Sequence, residues 1–333
     1  MSTIATGGGM IYMSTGSSFV AKGASYLAAY RESDGSKVWS HSFSDLVYPS
    51  TNPPAFDSGK VYMSAGSQEA TAMFAFDAAS GEQLFKSAMS SQWENYLAPT
   101  VFGGNVYTDG GTYGGLFSFG QVSGVRNFFT SLPQYDGWTP AVDASGAYVY
   151  AGGVLHVIDP VSGAVRYKIN DPVFAWSGYD TSSAPVIAAN GLVIAGNLSY
   201  PTAQATKNGL VGFDVIKQNV RWTAPGGYSG NPAYADGTVF AASLSSGKLE
   251  ARSENDGVVQ WSWSLPAGET DFASDVLVTR NLVFVATAST TYAIDRSTHA
   301  SVWSYKSGGK LALSANGILY IRSDAAVVAI NLK

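Results

Sequence analysis

Apolar and small polar residues alternate with a period of two along most of this chain, in runs too short for anything but β-strands. The clearest runs are GKVYMSA (59–65), GNVYTDG (104–110), GAYVYAG (146–152), GLVIAG (191–196), GTVFAAS (237–243), NLVFVAT (281–287) and GILYIRS (317–323). Most open on a turn glycine. No segment carries a capped 3.6-residue period, so the pattern predicts almost no helix.

Each run is framed by two further signals. Upstream stands a proline that marks the entry of an earlier strand: NPPAF (52–56), LAPTV (97–101), TPAVD (139–143), APVIA (184–188) and NPAYA (231–235). Downstream comes a turn phrase of an acid, a glycine and an aromatic. Its clearest copies are AFDAASGEQLF (75–85), IDPVSGAVRY (158–167) and IDRSTHASVW (294–303). Looser copies are YRESDGSKVW (30–39), FGQVSGVRNF (119–128), FDVIKQNVRW (213–222) and RSENDGVVQW (252–261).

The closing rings are Trp39, Phe85, Phe128, Tyr167, Trp222, Trp261 and Trp303, at steps of 46, 43, 39, 55, 39 and 42 residues. A period of about 40–45 residues is the mark of a propeller blade. Each unit reads as four short strands, the third ending at the acid and the fourth carrying the ring. The expected fold is therefore all-β: one domain over 1–333, an eight-bladed β-propeller. Its blades fall near 3–40, 52–86, 97–129, 138–168, 183–223, 230–262, 272–304 and 309–333. The eighth unit holds only three strands. Either it stays three-stranded or a segment upstream of Met1 completes it.

The turn phrase has a physical reason. Asp77, Asp159, Asp214 and Asp295 can accept backbone N–H bonds of the turn. Gly81 and Gly163 supply positive φ at little cost. Asn219 is expected to play that part in the fifth unit, because Asn tolerates the left-handed region. The ring of the fourth strand is expected to cover the seam with the neighbouring blade, worth roughly 1.5–3 kcal/mol per buried ring.

Composition narrows the function. Only 13% of the 333 residues are charged, and the net charge is −5. Without a basic face, nucleic acid is not an expected partner. There is no cysteine, so neither disulfides nor thiol chemistry arise. No apolar run is long enough for a transmembrane segment. A surface rich in Ser, Thr, Gly and Ala points to an extracytoplasmic setting: periplasmic, secreted or cell-surface. The start, MSTIATGGG, is not a signal peptide, so that setting requires a leader trimmed before Met1.

The phrase A-x-D-x-x-T/S-G-x-x-x-W resembles the tryptophan-docking repeat of the PQQ-like propellers, the quinoprotein alcohol dehydrogenase-like superfamily. The resemblance covers nearly the whole chain. It is strongest at Asp77-Ser80-Gly81-Phe85, Asp159-Ser162-Gly163-Tyr167 and Asp295-Thr298-Trp303, and weakest where Gly120 and Ser253 replace the acid. The resemblance implies two kinds of member. Dehydrogenases hold pyrroloquinoline quinone and calcium over the central channel, and many carry a vicinal disulfide. Others lack a cofactor and act as scaffolds, such as the lipoprotein propellers of outer-membrane protein assembly. Without cysteine, and with no recognisable calcium-ligand set, the chain is closer to the scaffolds. The expectation is no cofactor and no catalytic residue. A PQQ- and calcium-dependent sugar or alcohol dehydrogenase is the alternative, and a carbohydrate-active enzyme the second.

Binding candidates sit in the inter-blade loops, which are rich in aromatics beside carboxylates and amides. They are Trp93, Glu94 and Tyr96; Tyr135, Asp136 and Trp138; Trp176, Tyr179 and Asp180; Tyr228 and Asn231; and Asp271. Such a set suits a protein or a glycan ligand. For Tyr96 and Trp138, filling the narrow centre of the ring is an equal reading. For the acids, capping of their own loops is the better one. No metal is assigned. His156, within LHVID, reads as a strand residue rather than a base. The chain is expected to be a monomer or a module of a larger protein.

Overall fold

The computed structural model describes residues 3–15, 25–43, 50–67, 70–91, 97–110, 113–176, 180–196, 209–323 and 326–332. The side chains of Asp136 and of residues 180–183 are not included. Among the described residues there is no α-helix.

Eight antiparallel sheets follow one another in chain order. Blade 1 takes Ala5–Gly7, Met10–Ser14, Tyr26–Arg31 and Lys37–Ser42. Blades 2 to 7 repeat the plan, each with its third and fourth strands joined by the turn phrase. In blade 2 the first strand is split: Ser50–Thr51 and Ala55–Asp57 both pair with Lys60–Ser67. In blade 6 it runs through Pro232, and the register breaks between Ser229 and Ala233. That break accommodates a residue with no N–H to give. Blade 8 has three strands, Lys310–Leu313, Ile318–Arg322 and Val327–Asn331. The first strand of every blade touches that of the next, and the last touches the first. The sheets therefore stand as a closed ring.

The turn works as its chemistry requires. Asp77 Oδ1 accepts from the N–H groups of Ala79 and Ser80 at 3.1 and 2.8 Å. Asp159, Asp214 and Asp295 repeat this with the two residues at the same offsets. The left-handed position falls four residues after the acid or the residue in its place: Gly81 and Gly163 with φ 76°, and Gly257, after Ser253, with φ 71°. In blade 5 it is Gln218, φ 58°, and not Asn219. Asn219 instead lies opposite Asp214 in the ladder. With or without the acid, the N–H of the fourth residue bonds back to the carbonyl at the acid position, as in Gly81 to Asp77, Gly124 to Gly120, Gly257 to Ser253 and His299 to Asp295, and that residue has positive φ whatever its type.

The rings close the seams, always onto the following blade. A Cβ on Gly81 would come within 2.5 Å of the Trp39 ring, and the same relation joins Gly124 to Phe85 and Gly163 to Phe128. Gly257 faces Trp222 at 2.8 Å. His299 stacks on Trp261 with centroids 4.5 Å apart. Polar ends are satisfied across the seam too. Trp39 Nε1 donates to Ala78 O at 3.0 Å, Trp222 Nε1 to Glu254 O at 2.9 Å, and the Tyr167 hydroxyl to Val215 O. These carbonyls share one turn position, directly after the acid or, in blade 6, after Ser253.

Two further repeats were not read from the sequence. Each closing ring lies opposite a compact residue of the third strand: Ala29, Ala75, Ser118, Val157, Gly212, Ala251 and Ala293. Residues directly opposite share one face of a sheet, so small size there makes room for the ring. In addition, second-strand tyrosines reach the same turn carbonyl of the next blade. Tyr12, Tyr62 and Tyr107 donate to Ala78, Gln121 and Pro160 at 3.3, 3.1 and 2.8 Å. Burial raises the hydroxyl pKa of Tyr12 and Tyr62 to about 12.

Candidate functional site

The inter-blade loops are fastened to one another before they could meet a ligand. Asp136–Trp138 pairs in parallel with Asp180–Ser183, which ties the entry of blade 4 to that of blade 5. The register sets Asp136 opposite Asp180. Two candidate acids are thus brought side by side on adjacent strands, a pairing that hairpin logic could not find because it joins loops 44 residues apart. Sequence carries no turn signal for such a link.

Several candidates prove to be parts of the frame. Trp138 is 1% exposed, packed with Tyr107, Leu132 and Val149, and its Nε1 donates to Tyr135 O at 2.9 Å. Its ring is buried in the core between blades 3 and 4. Tyr135 is half-buried, and a Cβ on Gly152 would come within 2.3 Å of its ring. Tyr228 is buried; its hydroxyl lies 3.4 Å from Glu250 Oε2, and the Arg252 guanidinium stands 5.8 Å from its ring centroid. Burial pushes the Tyr228 hydroxyl pKa strongly upward.

Asn231 joins three blades. Its Oδ1 accepts from Ala184 N at 3.1 Å, ahead of blade 5. Its own N–H and Nδ2 donate to Asp275 Oδ1 at 2.7 and 3.2 Å, ahead of blade 7. An amide does this well because it offers both donors and an acceptor.

Two candidates remain open to solvent. Trp176 is 60% exposed, and Asp271 is exposed. Near Asp271, Glu269 accepts hydrogen bonds from Thr287, Ser289 and Tyr292. The Thr287 hydroxyl leads in lowering the Glu269 pKa to about 2. That carboxylate caps a turn. Trp93, Glu94, Tyr96 and Tyr179 lie outside the described residues.

Among the described residues no three His, Asp or Glu side chains converge as a metal site. His156 is 1% exposed, and its Nδ1 meets no described hydrogen-bond partner. Burial, with the nearby Lys168 charge, lowers its pKa to about 4. The arrangement offers rings, amides and backbone edges for recognition.

No curated protein sequence matches the chain significantly. Solved structures share the fold. BamB from Moraxella catarrhalis superposes with a TM-score of 0.74 at 16% identity, covering 98% of this chain and 94% of that one. The computationally designed Ika8 protein gives 0.73 at 13%, covering 99% and 96%. Sqt1 from Saccharomyces cerevisiae gives 0.73 at 9%, covering 98% and 95%. The family model described as outer membrane protein assembly factor BamB matches residues 23–263 and 128–333. With the turn-and-ring phrase recurring in seven of eight consecutive sheets, the chain belongs to the BamB-like family of PQQ-repeat propellers.

Proposed function

We propose that this protein is a non-catalytic, extracytoplasmic scaffold that holds a protein partner on its inter-blade loops, in the manner of an assembly factor of the outer membrane. The observation that carries the reading is the family match, which runs from residue 23 to residue 333. The geometry supports it. The loops are braced by the Asp136–Trp138 and Asp180–Ser183 pairing and by the Asn231 junction, so the surface is rigid before binding. A preorganised surface loses little entropy on docking. Trp176 stands out from that frame, and tryptophan is the residue type most enriched where binding energy concentrates.

The reading assigns the chain no quinone and no calcium, because it lacks the cysteines that pack on the cofactor in many dehydrogenase members. Removing the protein from its host is expected to lower the amount of assembled outer-membrane β-barrel protein. Photo-crosslinking from position 176 is expected to trap one partner, and Trp176→Ala to weaken its capture by roughly 30-fold. Unchanged envelope protein levels together with no crosslink would remove the proposal. Dye-linked alcohol or sugar oxidation after adding quinone and calcium is expected to stay at the blank.

A further inference from the structure

The three most exposed large apolar side chains among the described residues share one position in the repeat. Val122, Val161 and Ile216 are 77%, 80% and 72% exposed. Each stands two residues after the acid position of the turn, on blades 3, 4 and 5. The same position holds Ser33, Ala79, Asn255 and Ser297 on the other blades with this turn. Apolar residues exposed singly are ordinary, but one position repeated on three neighbouring blades is not scatter. The strands of each blade are antiparallel, so these turns lie on the face of the disc opposite the inter-blade loops. The row is rigidly held. The residue before each member, Gln121, Pro160 or Val215, offers its carbonyl to a tyrosine of the preceding blade: Tyr62 at 3.1 Å, Tyr107 at 2.8 Å, and Tyr167. The charges beside the row are one-sided. The acids on the turns of blades 3 to 5 are Asp143, Asp159 and Asp214, and each accepts turn amides. Arg166 and Arg221 pair with the last two. Arg126 is exposed, and the Lys217 side chain is 74% exposed, its Nζ 3.8 Å from Asp214 Oδ2. The exposed acids of this face lie on other blades, at Asp34, Glu82, Asp236 and Asp256.

We propose that the turn face of blades 3 to 5 is a second docking surface, which takes a partner polypeptide whose apolar side chains are flanked by carboxylates. The row of Val122, Val161 and Ile216 supplies the apolar contact. Arg126 and Lys217 select the sign of the partner's charge and speed its approach. Charge also decides against a second copy. Two discs stacked face to face with their rows in register would set Lys217 against Arg126 and Glu82 against Asp256, like on like. A bilayer is the poorer fit as well, because anchoring at a membrane interface draws on Trp and Tyr, and the row has neither. This surface and the loop face that carries Trp176 are on opposite sides of the disc, so one molecule can hold two partners at once.

The test uses the 333-residue chain and fluorescein-labelled peptides read by fluorescence polarisation. A peptide of alternating valine and glutamate is expected to bind saturably, and more weakly as salt is raised. Peptides of alternating valine and lysine, or of serine and glutamate, are expected not to bind. The combined variant Val122→Ser, Val161→Ser and Ile216→Ser, altered only at exposed positions, is expected to bind the first peptide roughly tenfold or more weakly. Val302→Ser, exposed but off the row, is expected to bind it unchanged. Arg126→Glu with Lys217→Glu is expected to turn the preference toward the lysine peptide. The proposal is overturned if the valine–glutamate peptide does not bind, if the lysine peptide binds equally well, or if the triple variant binds as before. A concentration-dependent dimer that the triple variant abolishes would assign the row to a second copy. Sedimentation with vesicles of phosphatidylethanolamine and phosphatidylglycerol, lost in that variant, would assign it to a membrane. Either result overturns the polypeptide partner.

Discussion

At the scale of single residues, the seam glycines separate two costs that usually come together. Gly81 and Gly35 share a left-handed backbone, but only Gly81 lies under a ring. Gly35→Ala should lose only the backbone preference, about 1–2 kcal/mol. Gly81→Ala must also displace Trp39, and chemical denaturation should find it at least about 1 kcal/mol worse. Equal losses would mean that the ring yields freely.

His156 makes a second prediction at this scale. Its folded pKa lies near 4, against 6.5 for the free side chain. The unfolded chain therefore takes up a proton below pH 6.5 that the folded chain refuses until about pH 4. Stability should fall across that window, by on the order of 3 kcal/mol, and level off below it. Melting temperatures of His156→Leu between pH 7 and 4 should lack that component.

At the scale of the element, each blade depends on a turn and a ring. Asp295 is held to a pKa of about 2, chiefly by the Ser297 hydroxyl, then by the Thr298 and Ser297 amides. Its contribution is present above the ordinary value of 3.8 and is lost as pH falls toward 2. Asp295→Asn should therefore flatten the acid limb of the unfolding curve. At the next seam, Trp222→Phe keeps the ring but loses the bond to Glu254 O, a cost near 1 kcal/mol. Trp222→Ala loses both, and about 3–5 kcal/mol is expected.

Much of this level was legible in the letters. Acid, glycine and ring recur at fixed offsets because they suit one turn geometry, although Ser253 and Gln218 show that the turn forms without the acid or the glycine. The alanine two places before the acid was equally visible, yet its purpose shows only when Ala75 is seen opposite Phe85. What the loops do was not legible. Trp138 and Trp176 stand in similar aromatic stretches, and one is 1% exposed and the other 60%. That difference is set by contacts between blades, which sequence spacing does not encode. Gln218 taught the converse: geometry imposed by neighbours overrides a residue's own preference.

At the scale of the molecule, the described residues join blades 8 and 1 through side chains rather than through a shared sheet. Tyr320 donates to Glu32 Oε1 at 3.1 Å and Asn316 Nδ2 to Glu32 Oε2 at 2.6 Å. Arg322 Nη2 adds a bond to Ser14 O at 2.8 Å, and Ile4, Ile11 and Tyr320 pack beneath. Glu32→Ala should leave the other seams intact yet make amides of blades 1 and 8 exchange before the rest. Uniform exchange around the disc would show that the closure is no weaker than its neighbours.

Six joints between the blades lean the same way, ring forward and left-handed turn behind. A blade is thus a polarised part, like a link with a hook at one end and an eye at the other. One moved into another position would carry its fit only if both ends travelled with it. Hybrid discs cut midway through a turn should come apart at two joints, whereas those cut between a ring and the following proline should hold.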